Sequence, residues 1–217
     1  EGPCLPTTKV VLLTAPTAKV EIKHGWVIPS WYNIKNIDSV INFKYTGLRS
    51  VLNFAKEQGF SGLLNLTKIE NMVGMEEINT NSEKIRRVIN EEIAELGGDS
   101  RKVFIGGVSQ GSSMALHTGL GFDKPLGGIL ASAGFLLPFS KIHKANKNVP
   151  IFVSHGKADK KVPFFLANLS YWRLNEKAHQ LTKVFEDHVG HDVSNTMLLE
   201  AKNWFQKLMA KTVKVAV

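Results

Sequence analysis

Val103-Phe-Ile105-Gly106-Gly-Val-Ser-Gln-Gly111 is the stretch on which the reading of this chain turns. A compact β-prone run passes straight into a glycine-rich turn, and the residues from there to Leu120 are compatible with a helix. A short apolar run bounded by turn residues reads as a buried strand. Within the turn, Gly107-Val-Ser109-Gln-Gly111 fits G-x-S-x-G. A serine on so tight a strand-to-helix turn leaves no room for side chains at the flanking positions, so glycine is needed there. The helix that follows offers its N-terminal N–H groups and positive dipole end to a developing negative charge beside the serine.

Working outward, Ile85, Val88, Ile89, Ile93 and Leu96 keep one apolar face from Ser82 until Gly97-Gly98 closes the segment, which predicts a helix. Downstream, strand-like runs recur at Gly128–Ala131, Ile151–Ser154 and Thr182–Phe185, separated by helix-compatible stretches such as Phe165–Ala178. A last helix shows Leu198, Ala201, Trp204, Phe205 and Leu208 on one face. Alternating β and α elements imply an α/β fold with a mainly parallel sheet flanked by helices. Upstream, Val10-Val-Leu-Leu13 reads as a buried strand ended by Thr14-Ala15-Pro16. Trp26, Pro29, Trp31 and Tyr32 read as an irregular loop, and Leu48, Val51, Leu52 and Ala55 as a helix stopped by Gly59. Glycines at 62 and 74 break any long pattern between Phe60 and Thr80.

The 217 residues suit a single domain. No apolar run approaches the roughly 18 residues of a membrane-spanning helix. One cysteine, Cys4, excludes an intramolecular disulfide and any site built on several thiolates. The formal charge of +8 would draw the protein toward anionic partners, including an anionic membrane surface. The basic residues are dispersed, however, and not interleaved with aromatics, so no nucleic-acid partner is expected. The chain opens at Glu1, not Met, so a start codon or targeting sequence has been removed or left out and the natural beginning is not in view; a cytoplasmic location is the expectation.

A serine hydroxyl is a poor nucleophile until a base removes its proton, and the G-x-S-x-G turn resembles that of the α/β-hydrolases, whose chain order implies an acid and then a histidine further along. Both appear. Asp159 follows the Ile151 strand in His155-Gly156-Lys-Ala-Asp159-Lys-Lys-Val162-Pro163. A histidine follows the Thr182 strand in Asp187-His188-Val189-Gly190-His191-Asp192-Val193. Loops at the C-terminal ends of sheet strands are where α/β proteins gather reactive groups. Of the two histidines His191 is the choice, because Gly190 suits a sharp turn before it and Asp192-Val193-Ser194 leads into the last helix. His188 and His191 lie three apart without H-E-x-x-H or a third ligand, so neither metal nor other cofactor is expected. His155 reads as structural, held by backbone groups under the acid loop.

Four strings, Pro29-Ser30-Trp31, Gly106–Gly111, His155–Pro163 and Gly190-His191-Asp-Val193, together resemble the phospholipase/carboxylesterase family of α/β-hydrolases, which includes the acyl-protein thioesterases. The resemblance runs from about Lys9 to Lys211. It implies the α/β-hydrolase fold and a catalytic triad of Ser109, Asp159 and His191, with the Gln110 N–H as one oxyanion donor. It also implies a serine carboxylesterase or thioesterase acting on an acylated protein or a lipid ester. Trp31, Phe135, Leu136, Val162 and Pro163 would then lie near the acyl group; their other reading is ordinary core.

Two departures accompany the resemblance. A segment of about 34–80 is longer than the family usually carries and reads as an insertion in the single domain 1–217. The strand that ends in a Leu-His-Gly loop and supplies the second oxyanion N–H is not found, although the family topology sets it between the Val10 and Val103 strands. Buried backbone groups left without partners cost about 1–3 kcal/mol each, so a second chain or an omitted segment is expected to complete the sheet. The alternative function is a catalytically degenerate, hydrolase-fold structural subunit of a larger assembly.

Overall fold

The computed structural model describes residues 8–35, 73–178 and 180–214, which divide into two compact units. The larger unit comprises residues 1–14 and 84–217, the smaller 15–83. The predicted helix around Leu48–Ala55 and most of the predicted insertion lie outside the described residues.

In the smaller unit β1 (Thr17–Val20) and β2 (Trp26–Pro29) form an antiparallel hairpin, with Thr17 opposite Pro29 and Val20 opposite Trp26. The residues read as an irregular loop therefore begin with a strand. Its signal is hidden because both faces are wet: Trp26 is 70% and Val27 68% exposed, leaving no inside-outside alternation to detect. His24 and Gly25, both at positive φ, turn the chain between the strands. After the hairpin, Ser30 Oγ donates to the Tyr32 carbonyl, and Asn33 Nδ2 donates to Glu21.

Helix α1 (Met75–Glu95) starts seven residues before the predicted Ser82, with Glu76 and Glu77 in its first turn where the dipole favours acids. Ile78, Ile85, Ile89 and Ile93 form its buried stripe. Gly97 and Gly98, at φ 74° and 86°, end it as expected.

The larger unit is built on a four-stranded parallel sheet in the order β3-β4-β5-β6. These strands are β3 (Phe104–Val108), β4 (Gly128–Ser132), β5 (Ile151–Gly156) and β6 (Leu181–Glu186). Helix α2 (Gln110–Leu120) packs on β3 and β4, α3 (Phe164–Ala178) on β5 and β6, and α4 (Asn195–Lys214) on β5. Every residue of β5 is buried, Ser154 and His155 included, which explains why its apolar run Ile151-Phe-Val153 shows no alternation: a strand covered on both faces has no solvent side. On α4 the inward residue of the first turn is Met197, 1% exposed, whereas Leu198 points out at 55%. Trp204 and Phe205 then reach the sheet, Phe205 meeting Phe104 edge-on with centroids 4.6 Å apart.

Val10–Leu13 is not a buried strand. Its four residues are 42–87% exposed, and among the described residues no strand pairs with it. A strand exists only where a neighbour takes its backbone hydrogen bonds, and here the tether is electrostatic: Lys9 Nζ reaches Glu92 and Glu95 on α1 at 2.8 and 2.7 Å. The segment is likewise not paired with β3, which is an edge strand among the described residues. A cavity of about 250 Å³ lies against β3, lined by Phe104, Val108, Leu130, Trp204 and Phe205. Among the described residues no helix is long and apolar enough to cross a membrane.

Candidate active site

The site is assembled at the C-terminal ends of β3, β5 and β6. Ser109 follows β3 directly and sits at φ 56°, ψ −120°, a conformation that non-glycine residues rarely adopt. Its N–H donates to the Ser132 carbonyl at the end of β4 (2.9 Å), and its carbonyl accepts from Ser113 N–H on α2 (3.2 Å). The need for glycine is steric: a Cβ on Gly107 would stand 2.3 Å from the Gly111 carbonyl carbon. Helix α2 starts at Gln110, so the Gln110 N–H belongs to the dipole's positive end beside Ser109.

Asp159 is held by its own loop. Oδ1 accepts from the N–H groups of Lys161 (2.8 Å) and Val162 (2.9 Å), a local turn closed by the side chain, and leaves Oδ2 for other work. The carboxylate is fully buried. Opposite it, His191 Nδ1 lies 2.7 Å from Asp159 Oδ2, and Nε2 lies 2.9 Å from Ser109 Oγ. A carboxylate can only accept, so Nδ1 carries the proton of the neutral ring and Nε2 receives the serine O–H. His191 is thus placed to take the hydroxyl proton and to share the resulting charge with Asp159.

The structure brings together Ser109, Asp159 and His191 and leaves His188 exposed on the same loop. Gly190, read as the residue that lets the loop turn, has open space around it. The tight contact lies across the gap at Gly156, where a Cβ would meet the Val189 carbonyl oxygen at 2.1 Å and that of Gly190 at 2.4 Å. Around this contact Lys157 N–H donates to the Glu186 carbonyl (2.7 Å) and Ala158 N–H to that of Val189 (3.0 Å). Lys157 Nζ pairs with Asp187 at 2.6 Å, which holds the Asp187 carboxyl below its usual range. The acid and histidine loops are therefore stitched together, and sequence reading missed the stitch because it joins residues about thirty apart.

Of the apolar candidates, Phe135, Val162 and Pro163 are half-buried, and Leu136, 2% exposed, belongs to the core. The loop carrying Phe135 and Leu136 turns at Ala133 (φ 51°) and passes so close to the elbow that a Cβ on Gly134 would stand 2.6 Å from the Ser109 carbonyl. Leu136 N–H donates to Ser170 Oγ at 3.0 Å, which anchors the loop to α3. Trp31, half-buried, lies in the smaller unit, where its carbonyl accepts from Asn81 Nδ2 at 2.7 Å. Among the described residues no three His, Cys, Asp or Glu side chains gather as a metal site.

Residues 65–209, more than half the chain and containing all three of these residues, match the family model described as Phospholipase/Carboxylesterase. The chain belongs to that family. Within the phospholipase/carboxylesterase family it resembles acyl-protein thioesterase 1 of Yarrowia lipolytica, 29% identical over 166 residues, which are 75% of this chain and 60% of the relative. A probable carboxylesterase of Oryza sativa is 26% identical over 204 residues, 92% of this chain and 65% of the relative. The chain thus spans about 60 to 65% of the length of these two relatives. Among solved structures, Arabidopsis thaliana SOBER1 superposes with a TM-score of 0.65 at 24% identity, covering 90% of this chain and 81% of that one. The fold is that of the α/β-hydrolases, as the sequence resemblance implies.

Proposed function

We propose that the chain is a serine hydrolase of carboxylic esters or thioesters, a reading carried by the hydrogen-bonded line from Ser109 through His191 to Asp159. Ser109 Oγ attacks the acyl carbonyl as its proton passes to His191 Nε2. The Gln110 N–H donates to the oxyanion, and Asp159 stabilises the imidazolium. His191 then gives the proton to the departing alcohol or thiol. Water, deprotonated by the same imidazole, attacks the acyl-serine and releases the acid.

Names among the relatives, acyl-protein thioesterase 1 and probable carboxylesterase, support an acylated protein or lipid ester as substrate. Phe135, Val162 and Pro163 would flank the acyl chain, with Leu136 in the core behind them.

The test is hydrolysis of short and long acyl esters and thioesters by the wild type and by Ser109→Ala. Turnover that falls by about 10⁴-fold or more in the variant supports the reading. Background rates from a folded wild type would return the chain to the non-catalytic subunit.

A further inference from the structure

We propose that His155 is a positioning residue for this site: its Nε2–H, donated to the Val162 carbonyl, stands 3.3 Å from Asp159 Oδ2, the same carboxylate oxygen that holds His191. The proposal deepens the hydrolase reading and rests on it.

Three observations carry it. His155 is the last residue but one of β5 and is completely buried, so its ring must find partners within the protein. Nε2 lies 2.9 Å from the Val162 carbonyl and 3.3 Å from Asp159 Oδ2. Both are acceptors, so Nε2 must carry the proton. On the other side, Nδ1 stands 3.4 Å from the Tyr171 hydroxyl, which donates its one proton to the Gly134 carbonyl at 2.5 Å. The Tyr171 proton is therefore not given to Nδ1. Burial, the largest influence, holds the imidazole below its ordinary value.

The arrangement has a chemical use. Asp159 Oδ2 receives an N–H from His191 and stands 3.3 Å from His155 Nε2, while Oδ1 is occupied by two backbone N–H groups. The positive edge of the Nε2–H dipole holds the carboxylate in place and draws charge from the oxygen facing His191. Burial favours the neutral form of His155, which does this without setting a second positive charge beside the imidazolium that forms during reaction. The titratable groups facing His155 are Asp159 and His191 on the two loops and Tyr171 on α3; Lys157 and Asp187 are paired with each other at the loop surface.

The experiment compares His155→Gln, whose amide nitrogen reaches the place of Nε2, with His155→Asn, whose amide stops at the place of Nδ1. The Gln variant is expected to keep kcat and the pH profile. The Asn variant is expected to lose about tenfold in kcat with KM little changed, the size of one lost hydrogen bond. Its acidic limb should also move to higher pH, because an Oδ2 without the Nε2–H dipole beside it attracts the imidazolium more strongly. Equal losses in both folded variants with unmoved limbs would overturn the proposal. Should neither fold, ¹⁵N-histidine NMR of the wild type decides: His155 protonated on Nε2 alone across the activity range supports the proposal, and a proton on Nδ1 contradicts it. An inactive wild type with the Nε2 signature would reject the hydrolase reading while leaving the hydrogen-bond assignment standing.

Discussion

Val10-Val-Leu-Leu13 and Ile151-Phe-Val-Ser154 read alike in isolation: four residues, three or four of them apolar, each followed by turn chemistry. The second is the wholly buried core of β5, paired with β4 on one side and β6 on the other. The first lies in no strand and is largely exposed. Local propensity is the same in both; what differs is the presence of a neighbour for the backbone and a layer for each face. A strand is a tertiary object, and only the run that has become one goes on to aim a side chain, Asp159, at His191 through the loop that follows it.

That contrast ranks the expected effects of change. The largest belong to the loops beyond the paired strands. Asp159→Asn keeps the shape of the carboxylate but replaces an acceptor with an amide, and kcat for ester hydrolysis is expected to fall by roughly 10³- to 10⁴-fold with KM nearly unchanged. A loss under tenfold in steady-state kinetics would break the link between β5 and the chemistry. Next is the strand itself. Ile151→Ala, at a side chain with no exposed surface, should cost about 2–5 kcal/mol in urea unfolding.

Gly156→Ala sharpens the comparison by acting where strand becomes site. The added methyl must push the Val189–Gly190 backbone away, carrying His191 with it. A displacement on the order of 1 Å costs about 10²-fold in turnover, and kcat should show it more than KM.

The distinction between fold and site legibility follows from the same residues. The alternation of strands and helices, the glycine at 107, and the places of Ser109, Asp159 and His191 on turns and loops were readable, because each depends on a pattern local in sequence: an apolar run, a turn, a polar residue just past a strand. What could not be read depends on partners distant in sequence. Val10–Leu13 needed a neighbour that local pattern cannot report. The stitch at Gly156 is a contact between two loops, and Met197 took the inward place assigned to Leu198, while Ala201, Trp204, Phe205 and Leu208 kept the face expected of them. The hold of backbone on His155 was readable, and the Val162 carbonyl supplies it. The Trp26 strand escaped because an exposed hairpin carries no burial signal.

Smaller again is a pH effect on stability, placed in α2 away from the reaction. Burial, reinforced by the nearby Arg86 charge, pushes His117 down to about 4. The unfolded chain therefore binds the proton more readily between about pH 6.5 and 4, so stability rises with pH across that window and is lost as pH falls through it. The contribution is on the order of 2 kcal/mol, and His117→Phe should flatten that slope in urea titrations at a series of pH values. The smallest effect returns to the unpaired run: Leu12→Ala, at a position 87% exposed, should change stability by no more than about 0.5 kcal/mol. A cost comparable to that of Ile151→Ala would mean that Val10–Leu13 is buried in the protein in solution and that the contrast fails.

The central claim, that Ser109 is a nucleophile activated by His191, is tested most directly by a fluorophosphonate probe followed by intact mass and peptide mapping. The account expects one adduct per chain, on Ser109, that is absent from Ser109→Ala and strongly slowed in Asp159→Asn. A folded protein that takes up no label, or that is labelled equally in the Ser109→Ala variant, would contradict it.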